Sequence, residues 1–226
     1  MELNEHKIIL KGDEVVLHPM TEYDWDIIWK WNYNPNTLYF SEDRSLIKHS
    51  PEQIQETYRD ISKDAFCFII EVNNKPVGDC WLQKVNIERI LRAHPVMRCR
   101  RIDLIIGDIE FLKPVFSIDV IRALTKFGFE KESADIIFGC EIPDHNRHSL
   151  KAFQKVGYQI YGKVRQPHGE KSKYVYDVIL MKEQYQPREY GKERRRGTDL
   201  RNFNNPEYKK PERRNGRNRR TEYEKT

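Results

Sequence analysis

No two cysteines of this 226-residue chain stand in a CxxC spacing, and none forms a Cys/His cluster of the kind that holds structural zinc. The four present, Cys67, Cys80, Cys99 and Cys140, lie 13, 19 and 41 positions apart. Three of them sit in apolar, strand-like runs, which predicts buried free thiols in a reducing compartment rather than a disulfide framework. Cys99 differs, because Met97-Arg98-Cys99-Arg100-Arg101 surrounds it with cations that would lower a thiol's pKa, although no paired base accompanies it. No apolar run reaches the length of a membrane span, and the acidic start MELNEHK is unlike the basic opening of a secretory signal. The expectation is therefore a cytoplasmic protein with no membrane contact and no metal. Internal repeats are absent too.

What the chain does have is enough apolar material, 38% of its residues, to bury a core, and a charge that is unevenly distributed. Residues 187–226 hold 14 Lys/Arg and 7 Asp/Glu, which leaves 26 and 28 of the chain's 40 and 35 for the rest. A mildly acidic body thus precedes a basic tail. Beyond residue 185 hydrophobic periodicity disappears, so the division expected is a folded domain over 1–185 and a disordered, low-complexity segment over 186–226. Tyr190, Phe203, Tyr208 and Tyr223 punctuate its arginine clusters. Such a mixture can hold RNA or a ribosome non-specifically, by phosphate neutralisation with occasional stacking; a merely solubilising tail has the same composition.

Within the body, residues 15–18 read as a strand, and Thr21 caps a helix reaching about Trp31. Its residues Trp25, Ile28, Trp29 and Trp31 form either a core stripe or the wall of a ligand pocket. The loop 39–44 carries Glu42 and Asp43, acids that would attract an amine or simply be solvated. Ser50-Pro51-Glu52 begins a second helix ending near Ser62, and residues 65–72 and 76–85 read as a hairpin about Asn73-Asn74-Lys75. Five arginines and a histidine follow within residues 89–101, a solvated hairpin loop or a contact to phosphates. Residues 102–106 form a strand closed by Gly107-Asp108. In the helix that follows, Ile118, Ile121, Leu124 and Phe127 recur at steps of three. A strand, loop and helix in that order can aim backbone N–H groups and the positive end of a helix dipole at a phosphate. Residues 134–140 make another strand, His145 to Lys155 a helix ended by Gly157, and residues 159–164 and 173–181 a closing hairpin.

This order resembles the GNAT N-acetyltransferases, nearest their aminoglycoside N-acetyltransferase and ribosomal-protein acetyltransferase branch. Trp31, Asn34-Pro35, Leu38, Phe40 and Arg44 look like that branch's acceptor-side helices. Arg101-Ile102-Asp103-Leu104-Ile105-Ile106-Gly107-Asp108 looks like its fourth strand. Glu141 followed by Asn146, Ser149, Phe153 and Gly157-Tyr158 is similar to its fifth strand and next helix. Gly169-Glu170-Lys171, Tyr174, Asp177 and Leu180-Met181 match its closing hairpin.

The resemblance implies an α/β (α+β) GNAT fold: a mixed, mostly antiparallel central sheet flanked by about four helices. It implies acetyl-CoA as co-substrate in a gap between the fourth and fifth strands. Leu104, Ile105 and Ile106 would then lie near the thioester, with Lys113, Val115, Phe116, Ser117 and Ile118 around the phosphates. Asn146 and Ser149 would follow the pantetheine arm. Asp103 and Glu141 match acids that deprotonate or orient the acceptor, and Trp31, Phe40 and Glu42 fall on the acceptor side. The reaction implied is direct attack by an amine, either an aminoglycoside-like small molecule or a protein N-terminus.

Two positions depart from the pattern. Leu112-Lys113-Pro114-Val115-Phe116-Ser117 replaces the family's glycine-containing phosphate loop, and Pro114 removes an N–H donor. Phe153, which the resemblance also implies touches acetyl-CoA, stands where many relatives carry a tyrosine that protonates the departing thiolate. A GNAT-fold binding or regulatory module with impaired catalysis, attached to RNA or a partner by the tail, is the alternative. Acceptor and oligomeric state stay open.

Overall fold

Turn chemistry and alternation build the scaffold from the middle outward. In the computed structural model, which describes residues 2–34, 50–166 and 171–187, β3 (Ala65–Val72) and β4 (Lys75–Lys84) pair antiparallel. Their link runs through Asn73 and Asn74, with φ of 52° and 60°. Asparagine tolerates this left-handed pair, which matches the twist of a tight hairpin. Alternation then sends Phe68 and Ile70 to one face of the sheet and Cys67 and Ile69 to the other.

The remaining strands are β1 (Leu10–Lys11), β2 (Val16–Pro19), β5 (Cys99–Ile106), β6 (Ile136–Pro143), β7 (Gln159–Arg165) and β8 (Tyr174–Met181). They form one sheet in the order β1-β2-β3-β4-β5-β6-β8-β7, with β5–β6 the parallel pair among antiparallel neighbours. The described residues contain five α-helices, α1 (Trp25–Asn32), α2 (Pro51–Ser62), α3 (Glu88–Ala93), α4 (Pro114–Glu130) and α5 (Arg147–Val156). Ser50 caps α2 by accepting from the Gln53 N–H at 3.3 Å, and Gly157 ends α5 at φ +113°.

Two cores result. On one face Val120, Ile121, Leu124 and Phe127 of α4 pack with Ala152 and Phe153 of α5 onto Leu17, Phe68, Leu82 and Ile102. On the other, Ile28 and Trp31 of α1 and Ile54 and Tyr58 of α2 cover Cys67 and Ile69. No helix among the described residues is long and apolar enough to cross a membrane, and these residues hold no group of three or more His, Cys, Asp or Glu placed to bind a metal. The tail, and residues 35–49 with Phe40 and Glu42, lie outside the described residues.

The arginine-rich stretch is not a hairpin loop. It contains α3, whose Ile90 is fully buried, and its arginines are paired with carboxylates: Arg89 with Asp177, Arg92 with Glu88, Arg98 with Asp135, Arg100 with Glu132 and Arg101 with Asp103. Their charges are internally answered, which argues against a phosphate role. The cationic setting of Cys99 fails for a similar reason. All four cysteines are free and buried; burial, followed by the charge of Asp135, pushes the Cys99 thiol up instead of down. Burial likewise pushes the Cys67 thiol up to about 12.

Candidate active site

The parallel pair holds together only at its start. Cys99, Arg100 and Arg101 face Ile136, Ile137 and Phe138, whereas β5 continues beside β4 as far as Ile106 opposite Gly78. Past Arg101, therefore, the β6-facing edge of β5 is open, and its backbone donors and acceptors face a cleft. A bulge on β6 accompanies the divergence. Its register with β8 shifts between Gly139 and Ile142, and Glu141 sits there at φ +54°, a conformation costly for a residue with a Cβ.

Asp177 holds that bulge. Its carboxylate, 1% exposed, accepts the Glu141 N–H at 3.0 Å and three contacts from Arg89 at 2.8 to 3.1 Å. Arg89→Ala leaves the buried carboxylate with the backbone N–H but without its cation, so a loss of about 3 kcal/mol is expected. Urea unfolding measures it; a midpoint equal to wild type would mean that water replaces the guanidinium without penalty.

The cleft, of about 180 Å³, is lined by Leu104, Ile105 and Ile106 of β5, by Leu112 to Pro114, Ser117 and Ile121, and by Asn146, His148, Ser149 and Ala152. Leu104, Ile105, Ile106, Lys113, Ser117, Asn146 and Ser149, expected together from sequence, do converge here. Val115, Phe116, Ile118 and Phe153 do not line it. Val115 is half exposed, and Phe116 is buried against Phe111 at a ring distance of 5.7 Å. Ile118 packs on the core. Phe153, 2% exposed, lies so close beneath β6 that a Cβ on Gly139 would come within 2.7 Å of its ring. Its ring is a core element there, packed on Tyr158 at a ring distance of 5.0 Å. His148 and Ala152 were not foreseen; the three-residue recurrence of Asn146, Ser149 and Ala152 was the available signal, a single helical stripe.

The loop closing the cleft supplies few free donors. The N–H groups of Phe111, Leu112, Lys113 and Phe116 bond to Asp108, Ile109, Phe111 and Lys113 carbonyls, and Pro114 at the first position of α4 has none. The first turn still offers the Val115 N–H and the positive end of a 17-residue helix, beside Lys113 and Ser117. At α5, the Asn146 side chain accepts the Ser149 N–H at 3.0 Å.

On the opposite face of the sheet stand Trp31, Asp79, Trp81 and Asp103. Trp31 is 5% exposed and presses on Gly107, where a Cβ would come within 1.9 Å of the indole. Asp103 is gripped by Arg101 through Nε at 2.8 Å and Nη2 at 2.5 Å, and Gln83 approaches at 3.4 Å. Burial disfavours the Arg101 charge, but the attraction and hydrogen bonds of Asp103 outweigh it and raise its pKa. Asp103 is thus held by Arg101 through both of its oxygens. Glu141 is half exposed, 3.5 Å from Arg89.

With that geometry in view, the comparisons are unambiguous about family. A model described as an acetyltransferase (GNAT) domain matches residues 20–166. The chain belongs to the GNAT acetyltransferase family and is an N-acetyltransferase by that membership. No curated protein matches it. Solved structures share the fold at low identity. Aminoglycoside acetyltransferase AAC(6')-Ib in complex with coenzyme A is 17% identical, over 75% of this chain and 96% of that one, at a TM-score of 0.62. Spermidine N-acetyltransferase from Vibrio cholerae, in complex with CoA and spermine, is 16% identical over 76% and 98%, at 0.63. Mycobacterium smegmatis RimJ in complex with CoA-disulfide is 12% identical over 81% and 91%, also at 0.63.

Proposed function

We propose that this protein transfers the acetyl group of acetyl-CoA to an amine by direct attack. The observation that carries the proposal is the open edge of β5 at Leu104 to Ile106, facing the Ser149 side of α5 across a cleft with mixed apolar and polar walls. A pantetheine arm is an extended chain bearing amides, and a strand edge offers it N–H and C=O partners at matching intervals. Lys113, the Ser117 hydroxyl and the positive end of α4 suit its pyrophosphate. Leu112, Ile121 and Ala152 keep water from the arm.

When bound, acetyl-CoA supplies a thioester already activated toward nitrogen nucleophiles. The protein's part is to hold that carbonyl at the end of β5, admit the amine, and accept the protons its nitrogen gives up so that the C–N bond can form as the C–S bond breaks. Asp103 and Glu141 are proposed to orient a cationic acceptor rather than to carry its proton, since Asp103 is held by Arg101. A small polycationic amine suits these acids, and solved relatives are in complex with spermine and with kanamycin; a protein N-terminal amine meets the same chemical requirement.

The reduced set of loop donors favours the second reading, a module that no longer turns over. Calorimetric titration of the full chain separates the two. Acetyl-CoA is expected to bind in the micromolar range, with coenzyme A release when amines are added. No heat at millimolar acetyl-CoA would sink the enzyme reading.

A further inference from the structure

The face of β4 opposite α4 carries a buried polar pair to which the pattern of acids in the sequence assigned no part. Asp79 is 0% exposed and lies directly across from Ile105, which lines the cleft. Its Oδ1 accepts the Tyr58 hydroxyl at 2.8 Å, and that hydroxyl also takes the Asn32 amide at 3.3 Å. Among the described residues its Oδ2 has no hydrogen-bond partner, and two residues along the same face the buried indole Nε1 of Trp81 has none either. A buried acceptor and a buried donor left open on one strand face each forfeit a hydrogen bond, a cost that a ligand or bridging water bound between them would recover.

This observation rests on the acetyl-transfer reading for its meaning. The α4–α5 face of the open strand is filled by the core and the cleft, and the other face, where Ile105 meets Asp79, is the side from which an acceptor is proposed to approach. Asp103, the more obvious acid, would have to leave Arg101 to take a proton. We propose that Asp79 is the proton acceptor for the incoming amine: Oδ2 takes the ammonium proton, directly or through one water, and the freed nitrogen lone pair attacks the thioester. Trp81 Nε1–H holds the same water or a polar atom beside the amine, and Tyr58 is a positioning residue. The nitrogen's second proton, lost as the amide forms and the C–S bond breaks, passes through water to the departing thiolate, and Asp79 returns the ammonium proton to solvent before the next turnover.

Supporting the geometry, burial pushes the Asp79 carboxyl up to about 7 against the opposing hydrogen bond from Tyr58, which suits a base working near neutrality. The ionisable groups around it are Tyr58 from α2, Cys67 from β3, Cys80 on β4 itself, and the Arg101–Asp103 pair on β5; α1 presents the uncharged Asn32 and Trp31. Tyr58 and the two cysteines are held above their ordinary values, burial first in each case. None of them ionises near pH 7, so Asp79 is the titrating member of the group.

The test uses the full chain with propylamine, spermine and kanamycin as acceptors, following coenzyme A release as pH is varied across neutrality. In wild type the rate rises with pH through a limb near 7, because the base must be deprotonated. Asp79→Asn is expected to lower kcat about 100-fold or more and to abolish that limb, with acetyl-CoA affinity unchanged. Tyr58→Phe removes the hydrogen bond that favours the carboxylate, so it should move the limb to higher pH and lower the rate at pH 7 while raising the pH restores it, a shift that a merely structural role would not produce. An Asp79→Asn enzyme with wild-type kcat, an unmoved limb in Tyr58→Phe, or acetyl-CoA binding with no Asp79-dependent release from any of the three amines would each overturn the proposal. Failure of acetyl-CoA to bind wild type is a different result, and it overturns the function proposed above instead.

Discussion

Ser149→Trp is expected to weaken acetyl-CoA binding about 100-fold, or about 2.7 kcal/mol, while leaving the protein folded. Ser149 faces a cleft of about 180 Å³, so an indole there occupies the space proposed for the pantetheine arm. The backbone has no reason to move. The Ser149 N–H is tied to Asn146 Oδ1 at 3.0 Å, and that cap does not involve the serine hydroxyl. Substitutions at partly exposed helix positions of this kind usually change stability by about 0.5 kcal/mol or less. Calorimetry on the variant, alongside a thermal melt, reads both quantities. Undiminished affinity in a folded variant would put the co-substrate somewhere other than between β5 and α5.

Gly78→Ala should cost the most stability of any single methyl added to this sheet. A Cβ at Gly78 would lie 2.1 Å from the Ile105 carbonyl oxygen and 3.0 Å from the Ile106 Cα, both backbone atoms of β5. Backbone in a paired strand cannot step aside as a side chain can, so β4 and β5 must part where β5 borders the cleft. Core overpacking typically costs about 1–3 kcal/mol, and this contact belongs at or beyond the top of that range. For a body of this size about 3 kcal/mol corresponds to a fall of roughly 6–12 °C in Tm. Gly139→Ala provides the internal control: its obstacle is the Phe153 ring, 2.7 Å away, which can turn. Thermal melts should therefore rank Gly78→Ala well below Gly139→Ala. The opposite ranking would mean that β5 yields more readily than the packed ring, and that the cleft edge is not rigidly set by β4.

Both variants probe features with very different visibility in the primary structure. Ser149 could be picked from the sequence because the run Glu141, Asn146, Ser149 and Gly157-Tyr158 resembles the fifth strand and next helix of the GNAT family, and the structure puts it on the wall of the cleft. Gly78 could not, since its importance lies in the close approach of a carbonyl from β5, and only strand pairing brings that carbonyl near. Helix α3 escaped notice because six residues, Glu88–Ala93, are too short to show a period or to hold a helix alone; burial of Ile90 stabilises it. Phe153 was placed correctly on its helix but assigned to the cleft, when its ring packs inward against Gly139 and Tyr158. The arginines of residues 89–101 were visible as charges, while their carboxylate partners were not, because Asp177 lies 88 positions from Arg89.

Sequence alone was sufficient to determine the order of the longer strands and helices and the family they spell, because period and turn chemistry are local properties that each segment carries with it, whereas the two-residue β1 and the six-residue α3 are too short to show either. Tertiary structure alone decided where β5 and β6 part, that Asp103 is held by Arg101, and that Asp79 lies buried with an oxygen left open opposite Ile105. Those outcomes depend on register between residues distant along the chain. A shift of one position in the pairing of β4 with β5 would turn Asp79 to the other face and remove it from the site.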